Sequence, residues 1–118
     1  MAKHNQTGKT GEVMAVEYFM QKGYAILHKN WRHYRWEVDI IAEKDNILHF
    51  IEVKTRRTRQ FGFPEDNVDK KKIRNLINAA EEFVYRFPQW NRIQFNILSI
   101  TMLKNETVEY FLIEDVYL

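Results

Sequence analysis

Residues Glu37–Arg59 read E-V-D-I-I-A-E-K-D-N-I-L-H-F-I-E-V-K-T-R-R-T-R, and this stretch decides the fold of the chain. It holds two apolar, β-branched runs separated by a polar break at 43–46, a pattern that predicts two consecutive strands. Charged residues interrupt both runs: Asp39 the first, Glu52 and Lys54 the second. Because a buried carboxylate is costly unless something compensates its charge, the stretch indicates a functional site rather than packing alone.

The turn between the two strands sets how the carboxylates meet. Asp45 and Asn46 suit a two-residue left-handed turn, which pairs Lys44 with Ile47 and therefore brings Asp39 and Glu52 opposite each other. A three-residue loop would put the two carboxylates on opposite faces unless a bulge restored them. One joint carboxylate site therefore requires the even register or a bulge.

Alternation of side chains along a strand gives the expected faces. On the second strand, four side chains are expected to share one face: Leu48, Phe50, Glu52 and Lys54. The first strand is expected to carry on one face Glu37, Asp39 and Ile41. An ion pair between Glu52 and Lys54 on an exposed sheet face is the alternative explanation for these charges.

Length and composition indicate one soluble globular domain over residues 1–118. The chain has 45% hydrophobic and 29% charged residues, no cysteine and no apolar run of membrane-spanning length. Its polar first residues do not resemble a signal peptide. The absence of cysteine excludes disulfides and thiolate metal sites and favours a cytoplasmic location. The scattered histidines do not have zinc-site spacing.

The charge is uneven along the chain although the net charge is only +2. Between Lys54 and Arg74 eight basic residues face three acidic ones, and this basic stretch begins where the carboxylate strand ends. A solvated basic surface explains such a stretch on composition alone. Its adjacency to the carboxylates instead favours a polyanionic substrate.

The remaining elements follow from periodicity and from helix and turn signals. The first helix is expected over Thr7–Lys22, closed by Gly23, with Glu12 on its inward stripe. After it the sequence predicts a strand at Tyr24–Trp31 with a polar, aromatic turn through Arg35, the two strands above, a loop at Thr58–Glu65, a helix from an Asp66 N-cap to Arg86, and strands at Ile93–Leu103 and Val108–Ile113. The order α-β-β-β-α-β-β predicts an α/β domain with a mixed five-stranded sheet flanked by helices.

Several of these motifs together resemble the YraN family, from about Gly8 to Ile100. The resemblance is carried by G-E in the first helix, by G-Y followed by K-N-W-R, by E-V-D-I-I, F-I-E-V-K-T-R and F-G-F-P-E, and by a lysine-bearing helix. It implies a restriction-endonuclease-like fold, related to Holliday junction resolvases. Where that family usually has R-F-D, this chain has Gln94-Phe95-Asn96.

The resemblance also implies a metal-dependent nuclease. Asp39 and Glu52 would bind Mg²⁺ or Mn²⁺, with the Val53 carbonyl as an additional ligand. Lys54 would orient the attacking water or neutralise the phosphate, and Glu12 would approach from the first helix.

The expected partner is DNA, bound through its phosphate backbone without sequence readout. The backbone contacts are expected from Arg56, Arg57, Arg59, Lys70, Lys71 and Lys72. Trp31, Trp36 and Trp90 either stack on bases or belong to the core and its rim. No membrane partner is expected, and a homodimer is left open.

Two other functions remain open from the sequence. One is a nucleic-acid-binding protein of the same fold with little cleavage activity, since a fold does not guarantee a reaction. The other is a protein-interaction module that uses the acidic, aromatic C-terminus around Glu109–Tyr117.

Overall fold

The computed structural model describes residues 3–57, 70–103 and 107–116, and within α1 it describes side chains only from Gly11 onward. Two helices and five strands lie in these ranges, in the order α-β-β-β-α-β-β that the sequence predicts. Their bounds are α1 Lys3–Gln21, β1 Ala25–His33, β2 Trp36–Lys44, β3 Ile47–Arg56, α2 Lys70–Arg86, β4 Ile93–Met102 and β5 Val108–Ile113. The α/β class and the five-stranded sheet are thereby confirmed.

The sheet has the strand order β1-β2-β3-β4-β5 and is mixed. β1, β2 and β3 form an antiparallel meander, β3 pairs with β4 in parallel, and β4 pairs with β5 antiparallel. β3 and β4 form the single parallel pair because α2 connects them. The helix brings the chain back to the end of the sheet at which β3 begins, so β4 runs in the same direction as β3.

The turn between β2 and β3 has the predicted two-residue form. Lys44 pairs with Ile47, and Asp45 and Asn46 take φ values of 55° and 64°. Both residue types tolerate the left-handed region, so this turn fixes the even register on which the joint carboxylate site depends.

Helix α1 begins at Lys3, earlier than the predicted Thr7, and ends at Gln21, one residue before the predicted Lys22. Its end is a Schellman motif, in which Tyr24 N donates to Phe19 O at 2.9 Å and Gly23 N donates to Met20 O at 3.1 Å. Gly23 has a φ of 93°, which glycine adopts without the cost of a side chain. The helix therefore ends at Gln21, and the chain turns directly into β1.

Each helix covers one face of the sheet. Ala15 and Phe19 of α1 pack in one core with apolar residues of the strands: Ile40, Ala42, Ile51, Leu98 and Ile100. The apolar stripe of α2, which includes Leu76, Ala80 and Phe83, packs in the other core: Val38, Ile41, Leu48 and Phe50. Burial of these two apolar cores holds the sheet and the helix on each of its faces together.

The predicted loop at Thr58–Glu65 and the Asp66 N-cap lie outside the described residues. The described part of the second helix begins at Lys70 and ends at Arg86, the predicted end. No helix in the described ranges is long and apolar enough to cross a membrane.

Candidate functional site

The site forms where β2 and β3 stop pairing. Their backbone ladder ends at Ile40 opposite Ile51. Beyond this pair a side-chain hydrogen bond takes the place of the backbone ladder. Asp39, the residue before Ile40, accepts a hydrogen bond at Oδ2 from the backbone N–H of Val53 at 2.8 Å. The carboxylate therefore lies at a fork between the two strands, beside the residue that follows Glu52.

The side chain of Asp39 does not lie on the face that alternation predicts. Asp39 and Ile40 both line a cavity on the α1 side of the sheet, whereas Ile41 is buried in the core under α2. On the neighbouring strand Lys29 and Asn30 also line this cavity together, and Asn30 has a φ of 53°. The alternation of side chains on β2 is broken at Asp39, because Val38 packs in the core under α2 whereas Ile40, two residues later, packs in the core under α1.

The faces of β3 follow alternation as predicted. Leu48 and Phe50 pack in the core under α2, and Ile51 and Val53 pack in or against the core under α1. Continuing this series places Glu52 on the side of Leu48 and Phe50. The expectation that Asp39 shares a face with Ile41 is therefore wrong, and the predicted common face for Asp39 and Glu52 is not formed. The negative charge of Glu52 nevertheless acts across the fork and raises the pKa of Asp39.

The cavity beside Asp39 has room for about one water molecule. It measures about 20 Å³ and is lined on one side by Glu12 and Val16 of α1. A wider cavity of about 290 Å³ adjoins it and shares Glu12, Val16, Lys29 and Asn30. About 10–15 Å³ suffices for one water, so the inner cavity can hold a water or an ion of similar size in contact with Asp39.

The surroundings of Asp39 disfavour its charged form. The pKa of its carboxyl is raised from 3.8 to about 6: burial is the largest cause, the hydrogen bond from Val53 N acts in the opposite direction, and the negative charges of Glu52, Glu37 and Glu12 add to the increase. A raised pKa is what the sequence predicts for two carboxylates held together, but burial is a larger cause than their repulsion. A cation placed here would relieve both.

Glu12 reaches the site because α1 packs closely on β3 at this point. The side chain of Glu12 is exposed and lines both cavities. The preceding residue, Gly11, is buried, and a Cβ atom added there would overlap the methyl group of Thr55. Only glycine permits this approach of helix to strand.

Glu52 and Lys54 are half-buried neighbours on β3. Lys54 Nζ lies 4.0 Å from Glu52 Oε2, and the two side chains are 19% and 25% exposed. This distance is at the outer limit of an ion pair, so their partial burial, rather than a tight mutual bond, distinguishes them from a surface pair.

The basic residues predicted to contact DNA lie in the described ranges, except for Arg59. Arg56 is half-buried, whereas Arg57 and the three lysines Lys70–Lys72 are exposed, and none of them is among the described residues that line the two cavities beside Asp39. Arg59 lies outside the described residues. Lys29 and Asn30 do line these cavities. Sequence reasoning missed them, because an ordinary strand pattern does not indicate a left-handed residue at Asn30.

Few of the described side chains near Asp39 could serve as ligands to a metal ion. Within the described ranges no three histidine or acidic side chains come together closely enough to hold a metal ion. A Mg²⁺ site that keeps several waters needs only one or two carboxylates, and Asp39 with Glu52 meets that requirement in chemical type.

The departure at Gln94-Phe95-Asn96 serves a structural network rather than the cavity. Asn96 is fully buried, and its Nδ2 lies 2.9 Å from His49 Nδ1. Its Oδ1 accepts hydrogen bonds from Gln94 Nε2 at 2.9 Å and from the backbone N–H of Asp115 at 3.1 Å. Asn96 therefore ties the C-terminal segment to β3 and β4.

Fold and site together define a class of protein: a small α/β domain with a half-buried carboxylate at a fork in a mixed sheet. Residues 11–100 match the model of the Uncharacterised protein family UPF0102, and the chain belongs to that family. This confirms the resemblance to YraN at the level of the family.

Relatives match over nearly the whole chain. A UPF0102 protein of Flavobacterium psychrophilum is 43% identical over 112 residues, covering 94% of each chain. One of Flavobacterium johnsoniae is 44% identical over 104 residues, covering 85% of each chain. One of Christiangramia forsetii is 44% identical over 106 residues, covering 90% of this chain and 87% of the relative. The similarity thus extends over most of the length of each of these relatives.

Proposed function

We propose that this protein is a metal-dependent nuclease with a restriction-endonuclease-like fold, which hydrolyses phosphodiester bonds in DNA. The observation that carries the proposal is the Asp39 carboxylate, 2.8 Å from Val53 N at the fork between β2 and β3, with Glu52 and Lys54 on the adjacent strand. A fold whose only need was stability would gain nothing from a half-buried carboxylate with a raised pKa.

The roles of the residues follow from their chemistry. Asp39 and Glu52 would hold Mg²⁺ or Mn²⁺, with the Val53 carbonyl as an additional ligand, and Glu12 would contribute a further oxygen or position a water from α1. The bound ion would lower the pKa of a coordinated water and stabilise charge on the phosphate. Lys54 would orient the attacking water or neutralise the phosphate.

The substrate in this proposal is branched or otherwise structured DNA in the cytoplasm. Arg56, Arg57, Arg59 and the lysines Lys70–Lys72 would bind the phosphate backbone, which carries no sequence information. The absence of cysteine is compatible with a reducing compartment.

A second function is a DNA-binding protein of the same fold that does not cleave. The observation that favours it is the lack of three converging acidic or histidine side chains in the part of the chain that the structure describes. In that case Asp39 would stay partly protonated at neutral pH, since its pKa lies at about 6, and no metal would be held.

The deciding experiment combines cleavage with thermal melting. Wild type, Asp39→Asn, Lys54→Ala and the control Asp45→Asn are each tested with Mg²⁺ or Mn²⁺ on duplex, single-stranded and four-way-junction DNA. The control makes the same chemical change in the turn at the other end of β2, where asparagine tolerates the positive φ of 55°.

For the nuclease we expect Mn²⁺ to raise the melting temperature of wild type, Lys54→Ala and Asp45→Asn, but not of Asp39→Asn. Cleavage should be lost in Asp39→Asn and reduced in Lys54→Ala, because an ammonium group is not a metal ligand but can act on the phosphate. Equal Mn²⁺ shifts in wild type and Asp39→Asn would overturn the metal site and leave the DNA-binding function.

A further inference from the structure

The tip of the β1–β2 hairpin carries a largely exposed tyrosine whose backbone conformation is unusual for its residue type. His33 pairs with Trp36, so Tyr34 and Arg35 form a two-residue turn. Tyr34 is 86% exposed, yet its φ is 56°. The other non-glycine residues with positive φ in the described ranges are asparagine or aspartate. Those side chains tolerate the left-handed region, whereas a bulky aromatic there is an outlier.

This combination is unfavourable for stability alone. An exposed ring gains little from burial, and glycine or asparagine would form the turn with less strain. Strained residues that persist in a fold are concentrated at binding and catalytic sites. Tyr34 is therefore a candidate for binding rather than for folding.

The ring is held in place by its neighbours. The Tyr34 ring centroid lies 4.5 Å from that of His33, edge to face, and 6.4 Å from that of Trp36. His33 is itself fixed by Arg86, whose Nη2 lies 2.8 Å from His33 Nδ1, and Trp36 packs against the core under α2. These contacts restrict the Tyr34 ring, so it gives up less freedom on binding a flat ligand than an isolated exposed ring would.

The hairpin tip also has an open depression beside the Tyr34 ring and a positively charged side chain next to it. Tyr34, Arg35 and Trp36 line an open depression of about 490 Å³, and Arg35 is exposed beside it. An aromatic face with an adjacent cation is the arrangement that binds an unpaired base and its phosphate. Arg32 is less available, since its Nη2 is bonded to Glu37 Oε2 at 3.1 Å.

The hairpin tip lies at a short distance along the strands from the carboxylate at Asp39. Tyr34 and Trp36 lie five and three residues before Asp39, about 10–17 Å along the strand. β3 runs antiparallel to β2, so Lys54 and Arg56 extend from Glu52 in the direction of the tip. At 3.4 Å per base step, this separation corresponds to about three to five stacked nucleotides.

We propose that Tyr34 at the β1–β2 tip stacks on an unpaired base of a DNA strand, so that the substrate of this protein contains single-stranded or splayed bases a few nucleotides from the bond to be cleaved. The inference rests on the proposed nuclease function for its substrate, but the stacking itself requires neither metal nor cleavage. A protein that binds single-stranded DNA without cutting it would use the same contact.

The test measures binding in EDTA, with no cleavage. Oligothymidylate, a blunt duplex and a forked duplex are titrated with wild type, Tyr34→Phe, Tyr34→Asn and Tyr85→Asn. Tyr85 is the matched control, since it is 83% exposed and lies on α2. A 2-aminopurine base in the single strand reports stacking directly through its fluorescence.

We expect Tyr34→Asn to bind oligothymidylate and the fork about 5- to 100-fold more weakly than wild type, with little change for the blunt duplex. Tyr34→Phe and Tyr85→Asn should bind as wild type does, and 2-aminopurine quenching should be lost only in Tyr34→Asn. The melting temperature of Tyr34→Asn should be unchanged or higher, because asparagine relieves the turn.

Equal binding of the single strand by wild type and Tyr34→Asn would overturn the stacking proposal, and so would an equal loss in Tyr85→Asn. Neither result affects the metal site, which is tested by Asp39→Asn. Conversely, tip-dependent binding without any Mn²⁺-dependent cleavage would support the stacking and refute the nuclease.

Discussion

Asp39 Oδ2 accepts a hydrogen bond from Val53 N at 2.8 Å, and this contact takes the place of the backbone ladder between β2 and β3. The bond favours the ionised carboxylate, yet burial and the charges of Glu52, Glu37 and Glu12 outweigh it and raise the pKa of Asp39 to about 6. Asp39 therefore joins the two strands and at the same time carries an unfavourable charge at neutral pH.

The stability of the fold should depend on pH through Asp39. Its pKa is 3.8 in the unfolded chain and about 6 when folded, so the folded state binds more protons between these values. The stabilisation by protonated Asp39 is complete below about pH 4 and is lost as pH rises through about 6. At pH 8, Asp39→Asn should be more stable than wild type without metal, by about 1–3 kcal/mol.

Urea unfolding of both proteins in EDTA from pH 4 to pH 8 measures this difference. Since the amide oxygen of the substituted asparagine can still accept the bond from Val53 N, the comparison isolates the charge. A difference between the two proteins that does not grow across this range would mean that the Asp39 carboxyl is not protonated preferentially in the fold.

Gly11 should be required for the packing of α1 on β3. In Gly11→Ala the new methyl group would overlap the methyl group of Thr55 on β3. The clash should lower the free energy of unfolding by about 1–3 kcal/mol, although alanine favours the helix by up to about 1 kcal/mol.

The control is Gly11→Ala with Thr55→Ser, which removes the clashing methyl and keeps the hydroxyl. The double variant should regain most of the lost stability, beyond the sum of the two single changes. Additive effects of the two changes would show that helix and strand do not meet at this contact.

Asn96 should set the protonation of His49. Because Asn96 Oδ1 accepts from Gln94 and from Asp115 N, its Nδ2 is left to donate to His49 Nδ1. Burial lowers the pKa of His49 below its usual 6.5, so its contribution to stability falls as pH drops below about 6.5. This is opposite in sign to the effect of Asp39.

Asn96→Asp should raise the pKa of His49 above its wild-type value, because a carboxylate facing Nδ1 favours the imidazolium form. Asn96→Leu should cost about 2–4 kcal/mol, since it leaves buried donors and acceptors unsatisfied. The pKa is measured by NMR titration of the histidine ring protons. An unchanged His49 pKa in Asn96→Asp would contradict the network.

The basic residues should govern the salt dependence of DNA binding. Replacing Arg56, Arg57 and Lys71 with alanine should weaken binding similarly for all sequences and reduce the slope of log K against log salt, because phosphate contacts release counterions. The matched control removes the same charge at Lys22, Lys44 and Arg92. Equal slopes for wild type and the first triple variant would exclude these residues as the DNA surface.

The sequence by itself determined the elements and the register of the central hairpin. The Asp45-Asn46 turn admits a two-residue left-handed geometry, and this local preference fixed the pairing of Lys44 with Ile47. Gly23 likewise fixed the end of α1. These features were predictable because they depend on residues adjacent in the chain.

Tertiary structure alone decided the direction of the Asp39 side chain and the shape of the site. The alternation on β2 is broken at Asp39, since Val38 packs under α2 and Ile40 under α1, and Asp39 lines the cavity on the α1 side, whereas simple alternation predicts the face of Ile41. The approach of Glu12 depends on Gly11 meeting Thr55, 44 positions later in the chain. Strand periodicity is a local average, so it cannot encode where two strands separate or how closely a helix packs over the gap.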